Sequence, residues 1–246
     1  MFKAIIRGKS GGLSSEVSID SSMPFKAGLD VKNVREDLLT AAIFSRLSYL
    51  APEIIWGVLS STFPSLPRRK VARLINLEYW PNWDHPDDER SFVEPNIFIQ
   101  MEIGDPGVKV DLIVEAKRFD TWTPQSAAQH AIQIQSYYFD ETIERGQELH
   151  FLALGGLGSE PTLQIKSLAS NFKEGRENFD GASWTSLAVS ISAISNKSTG
   201  DCKFIFRDLL EILEYAGFKN RTYFEKPITV NNFFISAEPN GIWRRS

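Results

Sequence analysis

An amide, two glutamates and a lysine fall between Glu94 and Lys117 at spacings that would bring them side by side. That set of groups suits holding a hard cation next to an anion and activating a water molecule. The segment reads EPNIFIQMEIGDPGVKVDLIVEAK, and apolar residues alternate with other types at period two on both sides of Gly104-Asp105-Pro106-Gly107. This pattern predicts a β-hairpin with its turn at those four residues. One face of the ribbon holds Ile97, Ile99, Met101 and Ile103 with Val108, Val110, Leu112, Val114 and Ala116, all apolar. The other holds Glu94, Asn96, Phe98, Gln100 and Glu102, answered by Lys109, Asp111, Ile113, Glu115 and Lys117.

Pairing Ile103 with Val108 across the turn sets Glu102 opposite Lys109, Asn96 opposite Glu115 and Glu94 opposite Lys117. A slip of one residue would turn one arm's apolar set outward, so the pattern specifies this register. Directly opposed side chains start from Cβ atoms about 5 Å apart, within reach of a shared cation. Asp111 lies four residues before Glu115, roughly 13 Å away along a strand, too far to share an ion with it. It reads as a solvated or supporting acid.

Pro95-Asn96 on one arm and Glu115-Ala116-Lys117 on the next resemble the signature of the PD-(D/E)xK nuclease superfamily, a Pro-Asp on one strand and an acid-x-Lys on the following one. The resemblance implies an α/β fold with a restriction-endonuclease-like core of helix, three strands, helix and strand. Its sheet would be mixed and flanked by helices, here with a C-terminal extension. It also implies metal-dependent hydrolysis of phosphodiester bonds in DNA, in a setting such as prokaryotic restriction or antiphage defence. Mg²⁺, with Mn²⁺ able to substitute, would be held by Glu115, Asn96, the Ala116 carbonyl and Glu36, while Lys117 assists the attacking water. This chain departs from the pattern at Asn96, where an amide replaces the usual aspartate and brings no charge. The tripeptide (D/E)xK also occurs at Asp30-Val31-Lys32 and Asp201-Cys202-Lys203, neither of which closes an alternating strand.

Two further positions enter through helices. Asn33 reads as an N-cap with Glu36 in a capping-box position, opening a helix to about Tyr49. Glu36 shares a stripe with Thr40, Ile43 and Leu47, so its carboxylate either caps Asn33 or turns toward the sheet, where members of the superfamily place a glutamate. Gln125, Gln129 and Gln133 line one face of a helix beginning at Pro124, and Gln133 precedes Tyr137 by four. Related nucleases carry Gln-x-x-x-Tyr on this helix, which implies a supporting role for Gln133, with Gln129 second; a polar surface stripe is the alternative. The same helix shows an apolar stripe of Ala127, Ala131, Ile134 and Tyr138.

The remaining elements are a helix at 53–64, a strand at Leu74–Trp80, a loop from Asn82 to Arg90, a short buried strand at 149–154 and an amphipathic helix at Phe204–Ala216 stopped by Gly217. Residues 1–32 form an N-terminal segment with a short strand and a Gly/Ser-rich stretch. Residues 33–156 make the core, and 157–246 an extension packed on it within one domain.

At 246 residues, 42% hydrophobic and 24% charged, the chain can bury a full core. One cysteine and three histidines exclude an intramolecular disulfide and a Cys/His zinc set, and point to the cytoplasm. No apolar run approaches a membrane span. The net charge of −4 gives no global nucleic-acid signature; basic residues cluster only at Arg68-Arg69-Lys70 with Arg73, at Lys117-Arg118 and at Arg244-Arg245. Sequence specificity would come from a partner subunit, a second copy, or the loop around Trp80 and Trp83. RNA as substrate, and a catalytically silent subunit that binds nucleic acid or a partner protein, remain open.

Overall fold

The computed structural model describes residues 36–118, 122–169, 177–200 and 202–218. Seven strands and six helices follow in chain order among them. They are α1 (Glu36–Leu47), α2 (Pro52–Thr62), β1 (Ala72–Tyr79), β2 (Trp83–His85), β3 (Asp88–Val93), β4 (Ile97–Ile103) and β5 (Val108–Ala116). After these come α3 (Pro124–Phe139), β6 (Glu148–Leu154), α4 (Pro161–Ala169), β7 (Glu177–Ala182), α5 (Trp184–Ser195) and α6 (Cys202–Tyr215). The expected N-terminal strand, the Asn33 cap and the Arg244-Arg245 cluster lie outside the described residues.

The central sheet has five strands in the order β1-β4-β5-β6-β7 and is mixed. β1, β4 and β5 pair antiparallel, whereas β5-β6 and β6-β7 are parallel. Parallel neighbours require a crossover, which α3 and α4 provide. The hairpin has the register its pattern dictates, from Ile97 opposite Val114 to Ile103 opposite Val108.

Both faces of the hairpin are covered, one more than its polar residues suggest. Its apolar face joins α1, α2, α5 and α6 in the larger core, through Ile97, Ile99, Met101, Val110, Leu112 and Val114. The second face lies under α3, with Phe98, Ile113, Tyr137 and Phe151 forming a smaller core. Its polar members Gln100, Asp111 and Glu115 are buried too. Each fully buried aliphatic or aromatic side chain contributes about 1.5–3 kcal/mol, so covering the second face outweighs leaving it wet provided its polar groups find partners.

Residues beyond 156 supply the fifth strand and two helices of the larger core, including Leu187, Ile191, Phe206, Leu209 and Leu213. In α6 the buried Phe206, Leu209, Leu210 and Leu213 recur at helical spacing. The helix closes as Gly217 takes φ +95° and the Phe218 N–H reaches Leu213 O at 2.8 Å.

Several expectations are corrected. The segment Asn82–Arg90 is not a plain loop, because Trp83–His85 pairs with Asp88–Val93 as a two-stranded ribbon. Trp80 and Trp83 are themselves buried, whereas Phe92 on the same ribbon is exposed. Glu102 and Lys109 are opposite in register but pair elsewhere: Glu102 with Arg73, and Lys109 Nζ with Glu144 O at 2.7 Å. The ladder of β4 and β5 ends at Ile97–Val114, leaving Glu94 exposed beyond it instead of opposite Lys117. Among the described residues, no helix is long and apolar enough to cross a membrane.

Candidate functional site

Asn96 and Glu115 meet just past the last rung of the β4-β5 ladder, where the backbone stops pairing and side chains take over. Glu115 Oε1 accepts the Asn96 backbone N–H at 2.9 Å, and Asn96 Oδ1 accepts the Ala116 N–H at 2.8 Å. Each side chain thus closes on the other strand's backbone. This reciprocal bracket satisfies two N–H groups that the sheet leaves behind.

Gln133, on α3, reaches down to the same carboxylate, its Nε2 donating to Glu115 Oε1 at 2.7 Å. Glu115 Oε2 carries neither of these bonds. Burial pushes the Glu115 carboxyl up to about 7; the nearby Glu36 charge adds to the rise, while the two hydrogen bonds and Lys117 oppose it.

Glu36 approaches from the opposite side of the sheet. As the first residue of α1 it accepts the Arg118 N–H on Oε2 at 2.9 Å, so its carboxylate lies just beyond the end of β5. Its stripe partners Thr40, Ile43 and Leu47 are buried, which fixes the helix in that orientation.

The Lys117 backbone is gripped from both sides. Its N–H donates to Leu154 O at 2.8 Å, and its carbonyl accepts Trp184 Nε1–H at 2.9 Å. Gly155 makes this approach feasible: it sits at φ +75°, and a Cβ there would fall 2.1 Å from the Lys117 carbonyl oxygen. The ammonium lies 5.7 Å from the centroid of the Trp122 ring, a cation–π contact.

The polar face of α3 is shifted from the expected stripe. His130, Gln133, Ile134 and Tyr137 are buried, Ala131 and Tyr138 are only half-buried, and Gln129 is exposed. The side chains of Gln125 and Ala127 are outside the described residues. Tyr137 does not touch Glu115; it donates to Asp111 Oδ2 at 2.6 Å, beside Gly146 N at 2.6 Å, while Gln100 Nε2 donates to Asp111 Oδ1 at 3.1 Å. Asp111 is therefore a buried structural acid, not a solvated one. It is held apart from Glu115 on the same strand face.

Sequence reasoning missed His130, Trp122 and Trp184. His130 Nδ1 lies 2.9 Å from Gln133 Oε1, and burial holds its imidazole down at about 4, with Lys117 adding to the effect. A signal was present in the i, i+3 spacing of His130 and Gln133 on one helix. The two tryptophans carry no such mark.

The raised Glu115 carboxyl has a consequence for stability. An acid that binds its proton more tightly when folded favours folding at low pH, and that contribution disappears as pH rises through about 7. Glu115→Gln cannot ionise. Its stability relative to the wild type should therefore climb steadily between about pH 5 and pH 8 in urea titrations; a pH-independent difference would contradict the desolvated carboxylate.

Among the described residues no three His, Cys, Asp or Glu side chains converge as a metal cluster. The end of β5 offers two carboxylates, Glu115 and Glu36, and the Asn96 amide oxygen, whose one lone pair already serves Ala116. Donor type fits a hard divalent cation: the Glu36 charge raises the proton affinity of Glu115, a repulsion that a bound cation would relieve.

Comparison with known proteins finds a relative in "Uncharacterized protein PM0110" of Pasteurella multocida (strain Pm70), 33% identical over 173 residues. The match covers 70% of this chain and 60% of the relative, so it spans about three-fifths of that protein's length. No family model matches, and no solved structure does.

Proposed function

We propose that this chain is a metal-dependent nuclease of the PD-(D/E)xK type, with its site at the carboxyl end of β5. The observation that carries this reading is the gathering of Glu115, Lys117, Asn96, Gln133 and Glu36 around that strand end, with Glu115 buried and bracketed by two hydrogen bonds. The order α1, β1, β4, β5, α3, β6, interrupted by α2 and the β2-β3 ribbon, supports a restriction-endonuclease-like core.

Glu115 and Glu36 would hold Mg²⁺, joined by the Asn96 amide oxygen and the Ala116 carbonyl. When bound, the cation supplies Lewis acidity and neutralises charge on the scissile phosphate. The protein's own groups do the rest. Lys117 places an ammonium beside the acids, where it holds the attacking water and offsets negative charge developing on the phosphate. Gln133 and the Asn96 N–H fix the Glu115 carboxylate so that only Oε2 is turned to other duties. The grip of Trp184 and Leu154 on the Lys117 backbone holds the lysine in register with that acid.

DNA is the proposed substrate. The test is cleavage of plasmid DNA with Mg²⁺ or Mn²⁺, with an RNA competitor in parallel; saturable Mn²⁺ binding that Glu115→Ala abolishes should accompany it. Binding to neither cation would defeat the reading.

One observation favours a second reading, a nuclease-fold subunit that binds nucleic acid without cutting it: the Asn96 oxygen is engaged by the Ala116 N–H. Asn96→Asp separates the two. An aspartate keeps the acceptor for Ala116 while adding a full charge a few ångströms from Glu115, so Mn²⁺ affinity measured by calorimetry should rise roughly 10- to 100-fold. Cleavage that appears only in this variant would identify the chain carrying Asn96 as a silent form.

A further inference from the structure

His130 is buried on α3, takes no direct part in the site, and yet touches the residue that holds Glu115. Its ring is wedged between Trp122 at 4.7 Å and Phe151 at 5.4 Å, centroid to centroid. Nδ1 faces Gln133 Oε1 at 2.9 Å, and Nε2 is buried with no hydrogen-bond partner.

The hydrogen-bond chain has a direction, set at its far end by a group that cannot change. The Asn96 backbone N–H donates to Glu115 Oε1, and with the carboxyl ionised, as cation binding requires, or with its proton on Oε2, that oxygen has only lone pairs to offer. The Gln133 atom 2.7 Å from the same oxygen must then be the donor, Nε2. A flipped amide would set oxygen against oxygen. With Nε2 committed to Glu115, Gln133 Oε1 faces His130 and needs a proton from it. The imidazole must carry its hydrogen on Nδ1, leaving a bare lone pair at Nε2. A buried lone pair without a partner is tolerated better than a buried orphan N–H, which agrees with the apolar surroundings of Nε2.

We propose that His130 is a positioning residue: its Nδ1–H locks the Gln133 amide with the N–H₂ turned to Glu115, and so sets the orientation of that carboxylate. The functional half of this proposal rests on Glu115 being the acting acid; the hydrogen-bond direction does not. Trp122 ties the device to the lysine, since the ring packed on His130 also lies beneath Lys117 Nζ and is anchored by Nε1–H to Gly155 O at 2.7 Å. Both key groups are thus steadied through one aromatic contact.

The experiment has two parts. Long-range ¹H–¹⁵N spectra of the full chain at neutral pH should show His130 protonated at Nδ1 and bare at Nε2; the opposite tautomer overturns the proposal. In the second part, His130→Phe keeps an aromatic ring but removes the donor, and His130→Asn returns an N–H near the Nδ1 position. His130→Phe should shift the Gln133 side-chain N–H₂ resonances and weaken Mn²⁺ binding roughly 10- to 100-fold, with His130→Asn recovering most of the loss. Unmoved Gln133 resonances in a folded His130→Phe protein would overturn the proposal. Should the wild type bind no Mn²⁺, the nuclease reading fails while the tautomer and the Gln133 resonances still decide the role of His130. Should His130→Phe not fold, the wild-type tautomer decides it.

Discussion

Under the proposed nuclease function, Lys117→Ala is expected to slow Mg²⁺-dependent cleavage of plasmid DNA by about 10²- to 10⁴-fold, the range over which a positioned proton-transfer or charge-stabilising group acts. The expectation follows from how the chain treats this residue. Its N–H and carbonyl are each claimed by a neighbouring element, and Gly155 is bare of a Cβ so that the two strands can close on it. That placement anchors the lysine at the end of β5, from where its charge acts on Glu115. The unfolding midpoint should move far less than the rate, because the side chain contributes a cation–π contact with Trp122 and a charge near Glu115, each modest at a half-buried position. Lys117→Arg should not restore the rate, since a planar guanidinium cannot reproduce a compact ammonium. A Lys117→Ala protein that cleaves within about threefold of the wild type would remove the lysine from the mechanism.

The second large effect is on stability and falls on the other buried acid of β5. Asp111 is fully buried and accepts from the Tyr137 hydroxyl, the Gly146 N–H and Gln100 Nε2. Asp111→Ala removes the acceptor and leaves the buried Tyr137 hydroxyl, one Gln100 Nε2–H and the half-buried Gly146 N–H without it, although Gln100 Nε2 keeps its bond to Glu144 O at 2.8 Å, and the cost of stranding such partners is about 3–5 kcal/mol. Urea titration should show the loss as a lower midpoint with an unchanged slope. Where the variant is folded it should bind Mn²⁺ as the wild type does, because the hydrogen bonds to Asp111 join α3 and the loop before β6 and none of them includes Glu115. A loss of less than about 1 kcal/mol would show that water replaces the carboxylate freely, contrary to its burial.

These two acids show where sequence reading reaches and where it stops. They lie on the same strand face, four residues apart, and alternation alone gives both the same surroundings. Strand geometry separates them by distance and so excludes a shared ion. It does not say which is wet. That depends on α3, which descends over the whole face and presents Tyr137 to Asp111 and Gln133 to Glu115. The helix itself was legible from Pro124 and its periodicity, but its rotation was not. Ala131 and Tyr138 looked like the buried stripe, whereas His130, Gln133 and Tyr137 point to the sheet. Polar residues took the inward positions because the strand beneath them is polar, and each buried group there needs a partner.

The hairpin register was written in the residues, since only one alignment turns all nine apolar side chains of one face to the core, where eight are buried and Val108 is partly so. So was the juxtaposition of Asn96 with Glu115 that follows from it, and the position of Lys117 one strand step further on. Local pattern suffices there because both strands are neighbours in sequence and share one turn. Glu36, His130, Trp122 and Trp184 belong to the other kind of knowledge. Glu36 meets Arg118 across 82 residues of chain, and Trp184 meets Lys117 across 67. No periodicity encodes such contacts, which arise only when helices on opposite faces of a sheet converge at the end of one strand.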